Sequence, residues 1–532
     1  MQLVSYGAQD IYLTGNAQIT FFKALYRRYT NFSMETVENV FTGEVEFGRK
    51  LTCKITKSGD LISKMYLRIT LNEVDPGGSK FAWTKKLGHA IVKMSEIEIG
   101  GSIIDTQYGV WLDIWYELSR EGDHEKGYSE MIGNVEEMTG YNENVKEETV
   151  IYIPLKFWFN KHIGLSIPLI ALQYHEVNVR ILFENLNRLI VSDCNFDITQ
   201  VTMKDATLLV NYIYLDTKER RRFAIVGHEY LIEQVQFNGL ETLTSDDKKY
   251  QLDYNHPTKE IIWANVNGNY ITGEEFIYYT HEDIWKPEEA AKWILENSIS
   301  IGIDPTNIVG GNWITVSSNT FTTIGNINVR NANVNDVYVN GESLKVGNYG
   351  ITEKIKADVI INSDSTLTLE EVETTITVRD LSIPKRLMTD TRFNTCDPRV
   401  NIFGNYGLLI DGSINPVRDG LIELNGHERF KRREGYYFNY VQPETYHRNT
   451  PADGINVYSF SLYPSEHQPS GTSNLSRIES TTLILTFDDL TLSDGLVNIN
   501  FYNEFNEFYI FGLSYNILRI MSGLAGLAYT LA

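Results

Sequence analysis

The segment DGSINPVRDGLIE contains oxygen-bearing side chains at the spacing of a calcium-binding loop. Asp411, Ser413 and Asn415 occupy its first, third and fifth positions, where such loops place calcium ligands. The sixth position requires a glycine for a sharp turn and the twelfth a bidentate glutamate, but Pro416 and Ile422 stand there. We therefore interpret the segment as a polar loop without a metal ion.

The histidines show no spacing typical of a catalytic or metal site. No segment matches the phosphate-binding pattern G-x-x-x-x-G-K-S/T, the zinc-protease pattern H-E-x-x-H or the thiol-redox pattern C-x-x-C. Histidines that flank predicted strands, such as His162, His175, His427 and His447, are more typical of hydrogen-bonded structural residues than of bases or ligands. The sequence thus predicts no catalytic residue, no metal ligand and no cofactor, and we expect no enzymatic activity.

Cysteine usage and the N-terminal sequence indicate where the chain is made. Cys53, Cys194 and Cys396 are far apart, and MQLVSYGAQD lacks the basic and apolar regions of a signal peptide. No apolar run reaches the about 18 residues that a membrane-spanning helix needs. These features predict synthesis in a reducing cytoplasm and three free thiols.

Aromatic and basic residues are combined in YGAQDIYLTGNAQITFFKALYRRYTNF, from Tyr6 to Phe32. Arg27 and Arg28 beside aromatic rings could neutralise phosphates while the rings stack on bases. The whole chain, however, has a formal net charge of -22 and an isoelectric point near 5.0. Because nucleic-acid binders usually carry a basic surface, we do not expect nucleic acid as a direct partner.

Two further basic clusters leave two interpretations open. KERRRF runs from Lys218 to Phe223, and HERFKRREGYYFNY runs from His427 to Tyr440. Each could bind an anionic partner, either a phosphate or an acidic protein surface, or could be a solvated strand edge or linker. For the first cluster we favour a linker, since it lies where two halves of the chain must be joined.

Alternation of apolar and polar residues predicts a chain made mainly of β-strands. SKMYLRITL, VKMSEIEIGG, QYHEVNVRIL and DATLLVNYIYL alternate with period two and are bounded by turn residues. Helical periodicity is confined to a few segments, chiefly GVWLDIWYELSR and KPEEAAKWILEN. A length of 532 residues exceeds what one hydrophobic core serves, so we expect at least two domains.

Three pairs of segments, in the same order in both halves, indicate an internal duplication. LISKMYLRIT pairs with PTKEIIWANV, SEIEIGGSIIDTQYGVWLDIW with GLIELNGHERFKRREGYYFNY, and VIYIPLKFWFNKHIGLSIPLIAL with NVYSFSLYPSEHQPSGTSNLSRI. The second pair contains Gly100-Gly101 and Asn425-Gly426, dipeptides that suit two-residue hairpin turns. The sequence therefore predicts two similar β-sandwich barrels in tandem, either jelly rolls or related Greek keys.

The second half contains roughly 130 additional residues between equivalent strands, within about Asn265 to Leu387. This segment alternates strongly and has its own turn dipeptide, Asn340-Gly341. We expect a small all-β subdomain inserted into the second barrel. Long insertions are tolerated in surface loops, so the barrel can close without these residues.

Eight segments, in the same order, closely resemble the major capsid proteins of nucleocytoplasmic large DNA viruses. They are YGAQDIYLTGNAQITFFKALYRRYTNF, GDLISKMYLRITL, IEIGGSIIDTQYGVWLDIWYELS, IPLKFWFNKHIGLSIPLIALQYHEV, NHPTKEIIWA, LNGHERF with YFNYVQPETYH, HQPSGTSNLSRIE and YNILRIMSGLAGLAY. They cover nearly all of the chain except the insertion. The resemblance implies an all-β double jelly roll of two eight-stranded barrels. With the insertion, it implies an N-terminal anchor segment over 1–25, a first jelly roll over 26–222, and a second over 223–264 and 388–532 that is interrupted by 265–387. We expect this insertion to face outward as a tower, because the inner face of a shell leaves less room for it.

The resemblance also implies a function and partners. Three chains would form a pseudo-hexagonal capsomer, and capsomers would tile an icosahedral virion shell together with minor capsid and penton proteins. The N-terminal segment would lie at the capsomer base, with its aromatic residues packed beneath the barrels. Arg27 and Arg28 would pair there with acidic groups of a neighbour or with headgroups of an inner lipid membrane.

Two alternatives remain open at this point. One is a minor capsid or spike protein of the same virus group, which differs in its copy number per particle. The other is a carbohydrate-binding β-sandwich, which the aromatic content of 12% would permit.

Overall fold

The computed structural model describes two β-barrels and the segments that join them. The described residues are 8–24, 26–79, 81–120, 124–140, 142–192, 196–241, 247–266, 406, 415–487 and 507–529, together with short strands between 269 and 401. Each barrel consists of two antiparallel sheets that pack face to face around apolar side chains. The strand order of these sheets is that of a jelly roll, as predicted.

The first barrel is built from eight strands. They are β1 (Phe32–Val40), β2 (Lys50–Lys54), β3 (Leu61–Leu71), β4 (Val92–Ile99), β5 (Ser102–Tyr108), β6 (Thr149–Pro154), β7 (Val177–Phe183) and β8 (Met203–Leu215). Sheet 1A has the order β1-β8-β3-β6, and sheet 1B has the order β2-β7-β4-β5.

The second barrel repeats this arrangement. Its strands are β9 (His228–Phe237), β10 (Asp247–Gln251), β11 (Pro257–Val266), β12 (Val417–Leu424), β13 (His427–Glu428), β14 (Arg433–Glu434), β15 (Ile455–Ser459), β16 (Thr481–Phe487), β17 (Glu507–Met521) and β18 (Leu524–Leu527). Sheet 2A has the order β9-β17-β11-β15, and sheet 2B has the order β10-β16-β12, with β13 and β14 both paired to β12. The duplication predicted from the sequence is therefore a duplication of strand order.

Short helices lie mostly in the connections. They are α1 (Ile11–Thr14), α2 (Leu87–Ala90), α3 (Gly109–Ser119), α4 (Glu125–Ile132), α5 (Glu136–Thr139), α6 (Trp158–Lys161), α7 (Thr217–Ile225) and α8 (Gln442–Tyr446), the last preceded by a π-helical turn over Tyr437–Val441. The helix predicted over 109–120 is α3. The helix predicted over 286–297 lies outside the described residues.

Side-chain alternation explains why these segments form half-buried strands. In β7 every second residue is buried, from Val177 to Phe183, and β3 buries Leu67 and Ile69 completely in the same way. By contrast, β11 buries consecutive residues, Ile261 to Ala264, because both faces of sheet 2A are covered. The continuous apolar run in PTKEIIWANV thus marks a strand that lies between two packed layers.

The predicted hairpin turns are observed in both barrels. Gly100 and Gly101 join β4 to β5 with φ values of 60° and 87°, and Asn425 and Gly426 join β12 to β13 with 52° and 73°. Positive φ at both central residues is what a type I′ turn requires. The three segment pairs found in the sequence therefore occupy equivalent strands of the two barrels.

The connection between the third and fourth strands differs most between the barrels. In the first barrel it covers 72–91 and contains a short strand, Phe81–Trp83, and α2. In the second it covers 267–416, of which the structure describes residues 406, 415 and 416 and the following short strands: Asn269–Tyr270, Trp313–Ser317, Thr320–Ile324, Tyr338–Val339, Glu342–Ser343, Ile351–Thr352, Ile355–Lys356, Val359–Ile361, Thr366–Leu369, Glu373–Thr374, Thr377–Val378 and Val400–Asn401. The strands on either side of Asn340-Gly341 pair with each other.

The two ends of the barrels are distinct. One end, here called the linker end, contains the start of β1, the helix α7 that joins the barrels, and the turn between β17 and β18. Strand β11 begins opposite the middle of β17, where Thr258 pairs with Ser514, and runs away from the linker end, so it enters the long connection at the opposite end. The N-terminal segment and the long connection therefore leave the barrels at opposite ends.

Candidate assembly site

Helix α3 of the first barrel packs on the outer face of sheet 2A of the second. Trp111 and Ile114 are completely buried there against Ile262 and Phe511, with 5.3 Å between the ring centroids of Trp111 and Phe511. A buried tryptophan removes roughly 150–250 Å² of mostly apolar surface from water. This contact fixes the two barrels side by side in one chain.

A buried ionic cluster lies across the same junction. The carboxylate of Glu233 on β9 accepts hydrogen bonds from Lys161 of the first barrel at 2.8 Å and from Lys259 on β11 at 2.6 Å. Burial alone would raise the pKa of Glu233, but the two lysine charges and their hydrogen bonds lower it to about 2. Lys161 also lies 3.9 Å from the ring centroid of Trp115, so the cluster is tied to α3.

A second carboxyl group, that of Asp105, crosses the junction and is held by hydrogen bonds. Asp105 on β5 accepts a hydrogen bond from the backbone N–H of Val235 on β9, at 3.1 Å, and another from the side-chain amide of Gln107. Burial raises the pKa of Asp105 to about 7 despite these hydrogen bonds. Close to neutral pH this side chain therefore exchanges a proton while it holds the edge of the second barrel.

A polar cluster links the first barrel to Tyr406 in the long connection of the second. Asp113 on α3 accepts from the Tyr406 hydroxyl at 2.7 Å, is paired with Lys86 at 2.9 Å, and lies 3.1 Å from Nδ1 of His89. Burial would raise the pKa of Asp113, but Lys86 and His89 hold it well below its usual range. Burial also lowers the pKa of His89 and raises that of its partner Tyr128, so the cluster holds a neutral histidine and a neutral tyrosine. Such groups suit a structural anchor rather than an activated nucleophile.

The end of the chain returns to the first barrel. Gly523, in the turn between β17 and β18, accepts a hydrogen bond from the backbone N–H of Tyr174 at 3.1 Å. The N–H of Ala525 donates to Nδ1 of His175 at 3.1 Å. The second barrel is thus attached to the first at the linker end as well as through α3.

Two surfaces with exposed apolar side chains are uncovered in a single chain. At the π-helical turn that precedes α8 in the second barrel, Tyr436 is 64% exposed and Val441 is 41% exposed. The outer face of sheet 1A exposes Met34 and Val40 on β1 and Tyr152 on β6. The equivalents of these two surfaces, α3 and the outer face of sheet 2A, cover each other at the junction.

The N-terminal segment is the most exposed apolar part of the described chain. Phe21, Phe22 and Tyr26 are at least 90% exposed. Their predicted packing beneath the barrels is therefore not seen within one chain, since the segment extends away from its own barrels before β1 begins at Phe32. Large exposed apolar patches are rare in monomeric proteins and indicate contact surfaces.

The cluster KERRRF forms most of α7, the linker between the barrels. Asp216 caps this helix by accepting hydrogen bonds from the backbone N–H groups of Lys218 and Glu219. Arg220 pairs with the buried carboxylate of Asp60 at 3.0 Å. The cluster therefore lies between the two barrels, as predicted, whereas sequence reasoning missed the helix and its anchor.

The histidines singled out in the sequence have structural contacts. His162 stacks on His467 with 4.6 Å between ring centroids, His175 binds Ala525, and His427 begins β13. His447 is completely buried with its Nε2 2.8 Å from the carboxylate of Glu260.

The calcium-like segment is described from Asn415 onward, whereas Asp411 and Ser413 lie outside the described residues. Asn415 accepts a hydrogen bond from the backbone N–H of Val417 and donates to Asn456, so its amide orders the start of β12. Among the residues that the structure describes, no group of three or more His, Cys, Asp or Glu side chains is arranged to hold a metal ion.

Cys53 is a buried free thiol, and burial raises its pKa to about 12. Cys194 and Cys396 lie outside the described residues, so the prediction of three free thiols remains open for them. None of the described helices is both long and apolar enough to cross a membrane.

Two family models match the chain in succession. Residues 20–216 match the model described as the major capsid protein N-terminus, and residues 219–526 match that of the large eukaryotic DNA virus major capsid protein. The boundary between the two matches falls at the start of α7.

Curated relatives match over their full length. Capsid protein 1 of Acanthamoeba polyphaga mimivirus is 38% identical over 600 aligned positions, which cover 100% of this chain and 99% of the relative. The major capsid protein of Paramecium bursaria Chlorella virus 1 is 32% identical, with coverage of 99% and 98%.

Solved structures agree with the fold. The capsid protein in a quasi-atomic model of the PBCV-1 virus capsid superposes with a TM-score of 0.61 at 27% identity, over 96% of this chain and 100% of that one. The Faustovirus major capsid protein has the same fold, with a TM-score of 0.58 at 11% identity over 97% and 94% of the two chains. With these matches along its whole length, the chain belongs to the family of large eukaryotic DNA virus major capsid proteins, the double jelly-roll structural proteins of the virion.

Proposed function

We propose that three copies of this chain form a pseudo-hexagonal capsomer. The observation that carries the proposal is that the second barrel presents a helical surface, with Tyr436 and Val441, that is equivalent to α3 but uncovered. The outer face of sheet 1A is uncovered in the same way. If each copy places its exposed helical surface on sheet 1A of the next, every barrel contacts its neighbour as α3 contacts sheet 2A.

A head-to-tail interface of this kind closes into a ring when its rotation allows, and six similar barrels in three chains would give a pseudo-sixfold outline. An obligate interface of this type should bury more than about 2,000 Å² in total. The exposed side chains Met34, Val40 and Tyr152 would then become part of that buried surface.

The proposed capsomer would contact further partners. Neighbouring capsomers would tile an icosahedral shell, with minor capsid and penton proteins at its inner face and vertices. The exposed aromatic residues of the N-terminal segment would cover inner-shell proteins or lie close to an inner lipid membrane, where Arg27 and Arg28 would meet acidic groups or headgroups. The net charge of -22 disfavours direct binding of nucleic acid.

The division into an anchor segment over 1–25, a first jelly roll over 26–222, a second over 223–264 and 388–532, and an insertion over 265–387 is part of this proposal. We place the insertion outward because β11 enters it at the end of the barrels opposite to the linker end. Replacing 265–387 with a short Gly/Ser linker should leave the trimer intact and remove the outermost density of the capsomer. Loss of the trimer would instead place the insertion in the subunit interface.

We propose a purely structural role without catalysis. The polar clusters at the junction pair buried carboxylates with cations or hydrogen-bond donors. The Tyr128 hydroxyl lies 2.7 Å from Nε2 of His89, but burial raises the pKa of Tyr128, so its hydroxyl stays protonated and is not an activated nucleophile. Hydrolase screening at high protein concentration should remain at background, whereas an activity that follows a point variant would contradict this role.

Light scattering after size exclusion tests the trimer directly. The wild-type chain should elute at three times the mass of one chain, and Val441→Asp should shift it to the monomer because an unpaired carboxylate would be buried at the interface. Val145→Asp, at an exposed site outside both surfaces, is the matched control and should remain trimeric. A wild-type monomer at micromolar concentration would refute the proposal.

A further inference from the structure

Helix α7 carries one face that none of the contacts described so far uses. Lys218, Arg221, Arg222 and Ile225 follow one another at the spacing i, i+3, i+4 and i+7, which places them on one side of the helix. All four are exposed. Within the described part of the chain, no carboxylate pairs with any of the three cations.

The other side of α7 is held firmly in place. Arg220 binds Asp60, and the same carboxylate accepts a hydrogen bond from the backbone N–H of Leu215 at 2.9 Å. At the end of the helix, the ring of Phe223 stacks on His228 with 5.2 Å between centroids, and Nε2 of His228 lies 2.8 Å from the carbonyl oxygen of Phe223. The cationic face therefore has a fixed orientation toward solvent.

Large apolar side chains surround the end of this face. Val226 is 52% exposed, Met521 57%, Leu524 48% and Tyr174 74%. Two observations show that these side chains lie close together. A β-carbon placed on Gly227, the residue after Val226, would lie 3.3 Å from Cγ of Met521, and Met521 and Leu524 face each other across the β17–β18 turn. Together with Ile225 they form a group that we call the linker-end rim.

We propose that the cationic face of α7 and the linker-end rim form a docking surface for an anionic lipid bilayer. Exposed aliphatic and aromatic side chains beside lysine and arginine are the combination by which a protein surface enters the headgroup region. The rim side chains project from three separate segments: the end of α7, the β17–β18 turn and the loop before β7. A fluid bilayer accommodates such separate anchors, whereas a protein partner would need a surface shaped to all three.

This inference rests on the proposed function, since the linker end meets a bilayer only if it faces the inside of the shell. It adds a second contact surface, separate from the N-terminal segment. Three copies in a capsomer would present three such surfaces side by side, which strengthens binding through multivalency.

Co-sedimentation of the full chain with vesicles tests the surface. The protein should bind vesicles of phosphatidylcholine with phosphatidylserine and should bind pure phosphatidylcholine only weakly, with an affinity that falls as salt is raised. To keep the N-terminal segment from obscuring the result, all variants carry Arg27→Gln and Arg28→Gln. In that background, Lys218→Gln with Arg221→Gln and Arg222→Gln should weaken binding by about a hundredfold.

A charge-matched control replaces three exposed lysines away from the linker end, Lys126→Gln, Lys204→Gln and Lys249→Gln, and should change binding by less than about twofold. Met521→Ser with Leu524→Ser tests the rim and should weaken binding by roughly tenfold. Equal losses in the α7 variant and the control would overturn the proposal. So would binding only to soluble polyglutamate, which would indicate an acidic protein partner. Light scattering on the same samples reports the trimer separately, so failure of the capsomer and failure of lipid binding are distinguishable.

Discussion

The two barrels have the same strand order, but only in the first is the helical connection after the fifth strand covered by another part of the chain. In the first barrel the helix after the fifth strand, α3, is buried against sheet 2A of the same chain. In the second, the corresponding helical turn leaves Tyr436 and Val441 exposed. The duplicated barrels thus have equivalent surfaces, of which one is covered within the chain and the other is exposed.

The third-to-fourth strand connection shows a second difference. In the first barrel it is short and packed into the core, where Phe81, Trp83 and Leu87 are almost completely buried. In the second barrel it is many times longer, yet β11 and β12 still take the equivalent places in their sheets. Strand pairing thus fixes the barrel, and the connection is free to vary because loop closure costs only about 0.6 kcal/mol per doubling of length.

The largest loss of stability is expected when the covered surface, between α3 and sheet 2A, is disrupted. Trp111→Ala should lower the free energy of unfolding by about 3–5 kcal/mol, because it leaves a cavity between α3 and sheet 2A. Tyr436→Ala, on the equivalent surface of the second barrel, should change it by less than about 0.5 kcal/mol in dissociated chains. Urea unfolding at high dilution measures both, and equal effects would contradict the assignment of one covered and one uncovered surface.

Removing the shared carboxylate of the junction should have the next largest effect. Glu233→Gln leaves Lys161 and Lys259 buried without their counter-charge, and we expect a loss of about 3 kcal/mol. Glu229→Gln, on the same strand but in an exposed pair with Arg519, should cost less than about 0.5 kcal/mol.

The stability of the protein should depend on pH because ionised Glu233 stabilises the folded state. Its pKa of about 2 in the folded protein lies below its ordinary value of 4.5, so the stabilisation is complete above pH 4.5 and is lost as the pH falls toward 2. An acid unfolding curve unchanged by Glu233→Gln would contradict the ionised cluster.

Asp105 should change the folding stability with pH in the opposite direction. Its pKa of about 7 lies above the ordinary value of 3.8, so the folded state binds the extra proton and stability falls as the pH rises from about 4 to 7. Asp105→Asn should remove this slope and stabilise the protein at pH 8 by on the order of 2 kcal/mol relative to wild type. Thermal unfolding between pH 4 and 8 tests it, and parallel curves for both proteins would show that Asp105 is not the titrating group.

The smallest loss of stability is expected from a substitution that makes the hairpin turn of the first barrel like that of the second. Asn425 is favourable in the second barrel because its side-chain oxygen accepts hydrogen bonds from the backbone N–H groups of Glu479 and Ser480. At the equivalent Gly100, a β-carbon would lie 2.2 Å from Nδ1 of His175. Gly100→Asn should therefore cost roughly 1 to 2 kcal/mol.

The adjacent variant Gly101→Asn serves as the control for that turn, since no atom lies within 4 Å of its β-carbon position. It should cost less than about 1 kcal/mol, which reflects the positive φ alone. Equal losses at the two positions, measured by thermal unfolding, would mean that His175 moves aside.

The barrels could be predicted from the sequence because strands and hairpin turns are determined by residues that are close together in the chain. Alternation in MKDATLLVNYIYL and the turn dipeptides at 100–101 and 425–426 report strands and hairpins directly. The junction could not be predicted, because Lys161, Glu233 and Lys259 are distant in sequence and only the fold brings them together. One signal was available: Lys259 and Glu260 are charged residues directly before the apolar run of β11, and in a strand buried on both faces such residues require buried partners.

The position of β17 in the chain has a consequence for synthesis. All eight strands of the first barrel have left the ribosome soon after residue 215, so this barrel can fold while translation continues. Sheet 2A cannot form until its central strand, ending at Met521, pairs with β9 from nearly 300 residues earlier. During that interval the apolar face of α3 has no sheet to cover it, which makes the nascent chain a natural client for chaperones and delays lateral association until the chain is almost complete.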